Sequence, residues 1–274
     1  MTKTIGIVGG MGPLATADLF TKIIHRTKAA KDQDHIHVLI DSNPAIPDRT
    51  AAILQGGEDP TPVLLQSCKN LEAMGADLLL MACNTAHYFY DRLQPALHIP
   101  MLHMPRETAH AARKMGYQKV ALLATDGTVQ SGVYGQAFAQ SGVELLLPDP
   151  AGQRAVMSLI YDCVKAGLTS FDTSPVVDAI RRLQEAGAQA MVLGCTELPL
   201  AFQQFDLPGN PLDPTEVLAR RAVEEAGGQL AAEAPPYDKM LLTRPGKYDK
   251  VTAIAYDKGN DEDGGVASLL ESRR

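Results

Sequence analysis

Two cysteines, Cys83 and Cys195, end two closely similar apolar runs. GADLLLMACNT, residues 75–85, and GAQAMVLGCTE, residues 187–197, each open on Gly-Ala, and each places its cysteine eight positions after the glycine. A lone free cysteine is ordinarily a small buried apolar residue. A duplicated core, however, does not require a thiol in both copies, so this pair points to chemistry. A helical pattern follows each one, TAHYFYDRLQ and ELPLAF. At a helix N-terminus, unpaired N–H groups favour the thiolate over the thiol, whose free pKa is about 8.5. Cys68 and Cys163 lie inside amphipathic helical patterns, LLQSCKNLEAM and SLIYDCVKAGL, and read as core.

The elements that must position the two thiols alternate short β-branched or leucine-rich runs with longer helical patterns: TIGIVG, ADLFTKIIHRTKAA, HIHVLIDS and onward. Such alternation builds βαβ units and parallel sheets. The cysteines are 112 residues apart, and the opening run from Ile5 to Met11 overlays Val120 to Asp126 at an offset of 115. The expected fold class is therefore α/β, with two similar lobes, each a parallel sheet flanked by helices. A pseudo-twofold axis would relate them and set thiol opposite thiol in one cleft, at the carboxyl ends of the strands where such sheets bind ligands. The expected lobes are residues 1–101 and 102–212. A helix over 213–226, with Asp213 as N-cap and Pro214 at its first position, returns to the first lobe. Residues 229–274 form a tail of different composition, with KVTAIAY as a short strand, and have no assigned role.

Bulk properties narrow the function. The 274 residues are 45% hydrophobic, enough for substantial cores, and carry a net charge of −7. That balance argues against sequence-independent binding to nucleic acid or an anionic membrane, which depends on clustered Lys and Arg. Four cysteines without a C-x-x-C or zinc-like spacing indicate reduced thiols and a cytoplasmic protein. Glycines and a proline interrupt the N-terminal apolar stretch that a signal peptide would need, and no run is long enough to span a membrane. Gly10-Met11-Gly12-Pro13-Leu14-Ala15 after IGIV matches a dinucleotide fingerprint. Its acidic partner is missing at the usual distance, because Asp41 lies 26 positions beyond Ala15.

IGIVGGMGP, DSNPAIPDRT, MACNTAHYFYD, LLATDGTVQSGVY and LGCTELPL together resemble the cofactor-independent aspartate/glutamate racemases of the Asp/Glu/hydantoin racemase superfamily, aspartate racemase most closely. The resemblance spans about residues 3–226. It implies that Cys83 and Cys195 act as opposed acid and base on an acidic amino acid, that no cofactor takes part, and that the chain forms a homodimer. Racemisation removes the Cα proton from one face and returns one to the other, which needs two proton-transfer groups on opposite sides. On this reading the glycine-rich loop around Met11 offers backbone N–H groups to a carboxylate.

The resemblance also implies that Asn84, Thr85, Thr196 and Glu197 line the cleft. Helix capping is the competing role for these residues. Thr125 and Thr128, in the second-lobe turn equivalent to GGMG, either touch substrate by their hydroxyls or only shape the turn. Arg49 follows Asp48, an expected N-cap, so its charge sits where a helix dipole disfavours it unless an anion is nearby. Lys165 precedes Gly167 at a helix end, a position that capping alone explains. By resemblance both cations hold the side-chain carboxylate of aspartate. His87, four residues past Cys83, reads as an ordinary helix residue that can also tune the thiol. The residues alone leave open an NAD-dependent oxidoreductase and a non-catalytic two-lobed binding protein. Within the superfamily, glutamate racemase, broad-specificity racemase and maleate isomerase are rivals.

Overall fold

Parallel strands that are covered by helices on both faces have to be apolar throughout, and the runs of this chain fold accordingly. The computed structural model describes residues 2–231. The chain runs β1 (Ile5–Gly9), α1 (Pro13–Arg26), β2 (Val38–Ser42), α2 (Arg49–Leu54), α3 (Thr61–Ala73) and β3 (Leu78–Met81). A 3-10 turn (Thr85–Phe89), the one-turn α4 (Tyr90–Leu93) and α5 (Met104–Lys114) then lead to β4 (Lys119–Leu123). Next come α6 (Asp126–Gln130), α7 (Val133–Ser141), β5 (Glu144–Leu146), α8 (Pro150–Ser158) and a π-helical turn (Leu159–Val164). The described part ends with α9 (Ser174–Glu185), β6 (Met191–Leu193), α10 (Leu198–Gln204), β7 (Pro211–Leu212) and α11 (Pro214–Glu225).

The strands form two sheets, ordered β2-β1-β3 and β5-β4-β6-β7, and all their pairings are parallel. Their registers carry the internal repeat. Gly6 pairs with Leu79 in the first sheet and Ala121 with Met191 in the second, which reproduces the offsets of 115 and 112. A parallel bridge from Leu79 to Met101 stands where β7 pairs with Met191 in the other sheet. Gly75 and Gly187 turn the chain into the two cysteine strands with the same φ of +97°, a left-handed conformation that favours glycine.

Alternation sends side chains to two helical layers on each sheet. Leu78 and Leu80 pack with α1 and α11, whereas Leu79 and Met81 pack with α3 and the segment after Cys83. In the second sheet Ala121 and Leu123 face α8 to α10, and Val120 and Leu122 face α5 and α7. Cys68 and Cys163 are fully buried in these layers. Asp213 caps α11 by accepting from Thr215 N–H at 2.8 Å. Leu218, Ala219, Ala222 and Val223 of that helix lie against Ile5, Ile7 and Leu19. The same Asp213 and Asp18 each hold the buried Lys22 ammonium at 2.6 Å, which ties α1 to α11. Residues 232–274, with the short strand expected at KVTAIAY, lie outside the described residues.

The two sheets meet across α2 and α6. A Cβ on Gly127 would lie 2.6 Å from Thr50 Oγ1 and 3.0 Å from Thr50 Cα, so glycine is what lets these segments touch. Both sheets belong to one compact unit.

Candidate active site

Each cysteine stands two residues past the end of its strand, Cys83 after β3 and Cys195 after β6. Both open on one cavity of about 150 Å³ at the carboxyl ends of the two sheets. Its wall brings together Met11, Arg49, Asn84, Thr85, Thr125, Lys165, Thr196 and Glu197, residues scattered over most of the chain. Thr128 sits just behind the wall. Its hydroxyl lies 2.7 Å from Thr85 Oγ1 and 3.1 Å from Thr125 Oγ1, so three hydroxyls link the Cys83 turn to the second sheet. Thr125 also caps α6, with Thr128 N–H donating to its Oγ1 at 3.3 Å, so its turn-forming and wall-forming roles coexist.

Cys195 is the better defined of the two thiols. Its Sγ donates to Glu197 Oε2 at 2.9 Å, Thr196 Oγ1 donates to the same oxygen at 3.1 Å, and Lys165 Nζ donates to Oε1 at 2.5 Å. Burial and the Glu197 carboxylate hold the Cys195 thiol well above its ordinary pKa. Glu197 titrates low: burial opposes its charge, but Lys165 and the donating hydroxyl and thiol outweigh burial. Lys165 titrates high by the reverse balance, with burial opposing and Glu197 prevailing. The resting arrangement is thus thiol, carboxylate and ammonium.

This corrects the expectation that a helix terminus favours the thiolate at Cys195. At Cys195 a carboxylate occupies the space, and α10 is only seven residues long. After Cys83 the expected helical run begins as the 3-10 turn and passes directly into α4. Asn84 makes no capping bond there. Its Oδ1 instead accepts from Tyr134 O–H at 2.5 Å. Lys165 does end a helical turn, as capping predicts, yet its ammonium reaches into the site.

Arg49 opens α2 next to Asp48, which caps the helix by accepting from Ala51 N–H at 2.7 Å. Its guanidinium donates to three carbonyls, of Ile46 at 3.1 Å, Pro47 at 3.0 Å and Met11 at 3.3 Å. Nε is buried and has no partner. Carbonyls orient the cation without neutralising it. The glycine-rich loop differs from expectation in one respect. Gly10 N–H donates to Thr16 Oγ1 at 2.9 Å, so this donor serves the loop itself, and Met11 contributes to the wall beside the Arg49 that its carbonyl holds.

Sequence reasoning missed Asp48, Thr50 and Tyr161 as parts of the wall. Tyr161 lies in the π-helical turn, a distortion that often marks functional sites, and Lys165 Nζ sits 5.7 Å from its ring centroid. His87 also does more than fill a helix. It is buried, its Nδ1–H donates to Cys83 O at 2.8 Å, and its Nε2 accepts from Met104 N–H at 3.1 Å. Burial lowers its pKa to about 4, so it braces the Cys83 backbone as a neutral ring. No group of three or more His, Cys, Asp or Glu suited to a metal occurs among the described residues.

Residues 8–222 match the family model described as Asp/Glu/Hydantoin racemase. The broad specificity amino-acid racemase RacX of Bacillus subtilis (strain 168) is 28% identical over 229 residues, 80% of this chain and 96% of that protein. A glutamate racemase of Cupriavidus pinatubonensis is 28% identical over 200 residues, covering 70% and 72%. Among solved structures, the aspartate racemase of Picrophilus torridus has a TM-score of 0.70 and 33% identity over 84% of this chain and 96% of its own. An aspartate racemase homologue from Pyrococcus horikoshii OT3 has a TM-score of 0.68 and 27% identity, covering 82% and 99%. With two parallel sheets flanked by helices, two thiols on one cavity and these relatives, the chain belongs to the Asp/Glu/hydantoin racemase family and is an amino-acid racemase.

Proposed function

We propose that this enzyme racemises aspartate by two-base proton transfer between Cys83 and Cys195, without a cofactor. The observation that carries the reading is the pairing of two thiols with two cations, Arg49 and Lys165, on one small cavity. The thiolate of one cysteine takes the Cα proton, and the electron pair of the C–H bond passes into the α-carboxylate system. The thiol of the other cysteine then protonates Cα from the opposite face. After turnover the thiolate and thiol have exchanged places, and proton exchange with solvent resets them. With no electron sink on the amino group, hydrogen-bond donors around the α-carboxylate carry the developing charge. On the cavity wall Asn84 Nδ2 has no partner and offers one.

Arg49 and Lys165 serve the second carboxylate, the feature that separates an acidic from a neutral substrate. Glu197 holds Lys165 in place and receives the Cys195 proton when that thiol has to act as base. The same reading includes a homodimer and a cytoplasmic location, the first checked by solution scattering of the purified protein. The test of function is a panel of both enantiomers of aspartate, glutamate and neutral amino acids, assayed without added cofactor. Aspartate is expected to give the highest kcat/KM. Preference for glutamate or for neutral amino acids, or activity that depends on added pyridoxal phosphate, overturns the reading.

A further inference from the structure

The amide of Asn84 is divided between two surroundings. The residue is 3% exposed, and its Oδ1 accepts from the phenol of Tyr134, 50 residues further on in α7. Its Nδ2 is buried, has no hydrogen-bond partner, and belongs to a side chain on the cavity wall. A buried N–H without an acceptor is costly, so such groups call for a partner when the site is filled. Tyr134 itself is 1% exposed, and burial pushes its phenol far above its ordinary pKa, so it stays protonated and acts as a donor. With a fixed donor on one side, the amide oxygen is drawn to Tyr134 and the amide nitrogen is left for the cavity. The opposite orientation would turn Oδ1 toward an incoming carboxylate and repel it.

We propose that Tyr134 is a positioning residue: by holding Asn84 Oδ1 it commits Asn84 Nδ2 to a carboxylate oxygen of the substrate. This rests on the reading of the cavity as the substrate site of an acidic amino-acid racemase. The neighbouring Thr85 Oγ1 lies 2.7 Å from Thr128 Oγ1, whereas Asn84 Nδ2 has no partner. Tyr134 lies on the second sheet's side and Asn84 on the first, so the donor is set only when the two sides of the site are assembled.

The experiment is a double-mutant cycle of Tyr134→Phe, Asn84→Ala and the double variant. It is read by kcat and KM for aspartate, by calorimetric affinity for succinate, and by melting temperature. Tyr134→Phe is expected to lower kcat/KM and succinate affinity about tenfold or more, the scale of one hydrogen bond to a charged group. In the Asn84→Ala background the same substitution is expected to change neither. A Tyr134→Phe loss of full size in that background, or coupling below about threefold, overturns the proposal and leaves Tyr134 a packing residue. Wild-type protein that binds succinate but racemises no acidic amino acid overturns the proposed function, while the succinate cycle still decides the role of Tyr134. If succinate does not bind, the side-chain amide resonances of Asn84 in ligand-free protein decide it. A single sharp pair that doubles or broadens in Tyr134→Phe supports the proposal, and an unchanged pair overturns it.

Discussion

Cys195 donates its thiol hydrogen to Glu197 Oε2 at 2.9 Å, while Lys165 grips the other oxygen of that carboxylate at 2.5 Å. Burial and the carboxylate make the thiolate unfavourable, and the ammonium partly compensates. Glu197→Gln is expected to shift alkylation of Cys195 by iodoacetamide to lower pH and speed it several-fold near neutrality. Lys165→Met is expected to do the reverse. Racemisation in Glu197→Gln falls by about tenfold or more, the scale of losing a proton-transfer partner. Mass spectrometry of the Cys195 peptide over a pH series checks it, and identical alkylation profiles would remove Glu197 from the proton path.

Cys83 and Cys195 approach from separate sheets, so each is expected to serve one face of Cα. Cys83→Ser and Cys195→Ser each stop net racemisation, since a hydroxyl is a far weaker base at neutral pH. In D2O each variant still exchanges the Cα hydrogen of one enantiomer, with opposite preferences, as followed by proton NMR. A single dispensable cysteine contradicts the two-base scheme.

Arg49 and Lys165 are expected to act on the distal carboxylate. Arg49→Ala and Lys165→Ala then lower kcat/KM for aspartate by about tenfold to a hundredfold, and reduce residual turnover of alanine far less. Equal losses on both substrates assign these cations to the scaffold or to the α-carboxylate.

Much of this site was legible in the sequence because the repeat carries it. The cysteine runs predicted two parallel sheets, and the registers at Gly6–Leu79 and Ala121–Met191 follow the same offsets. Local rules found the caps at Asp48 and Asp213, since a cap depends only on the next three residues. They failed where a partner lies far along the chain. Tyr134 on Asn84 and the Tyr161 ring beside Lys165 in a π-helical turn leave no mark in hydrophobic period. The thiol pKa was misjudged for the same reason: a helix start is visible in sequence, but the side chain that turns back onto Cys195 is not.

Lys22 is buried between Asp18 and Asp213, and its pKa is raised: burial opposes the charge, and the two carboxylates outweigh it. Removing the cation leaves two acids facing each other in a dry contact between α1 and α11. Lys22→Met is expected to destabilise the fold by about 3–5 kcal/mol. Urea unfolding measures it, and a loss below about 1 kcal/mol would mean the cluster behaves as a surface pair.

His87 connects stability to acidity. Its folded pKa is lowered from 6.5 to about 4 by burial, so the unfolded chain binds a proton that the folded chain refuses. The contribution is complete above pH 6.5 and is lost as pH falls toward 4, amounting to about 3 kcal/mol. His103, lowered to about 3 by burial and by His87, adds in the same direction. His87→Gln is expected to flatten the loss of stability between pH 6.5 and 4 in urea titrations, and an unchanged slope would point to other groups.

The two halves of the site are not copies at one point. The residue two places after the thiol is Thr85 in one half and Glu197 in the other. Thr85 is uncharged, whereas Glu197 carries a charge and a proton contact. Enantiomers have equal free energies in water, so the equilibrium constant of the reaction is one whatever the protein does. It follows that kcat/KM for the L and D forms must be equal, while nothing in the lopsided pair equalises the barriers from the two bound states. Any inequality appears as paired differences in kcat and KM: the enantiomer with the lower KM is turned over more slowly, in the same proportion.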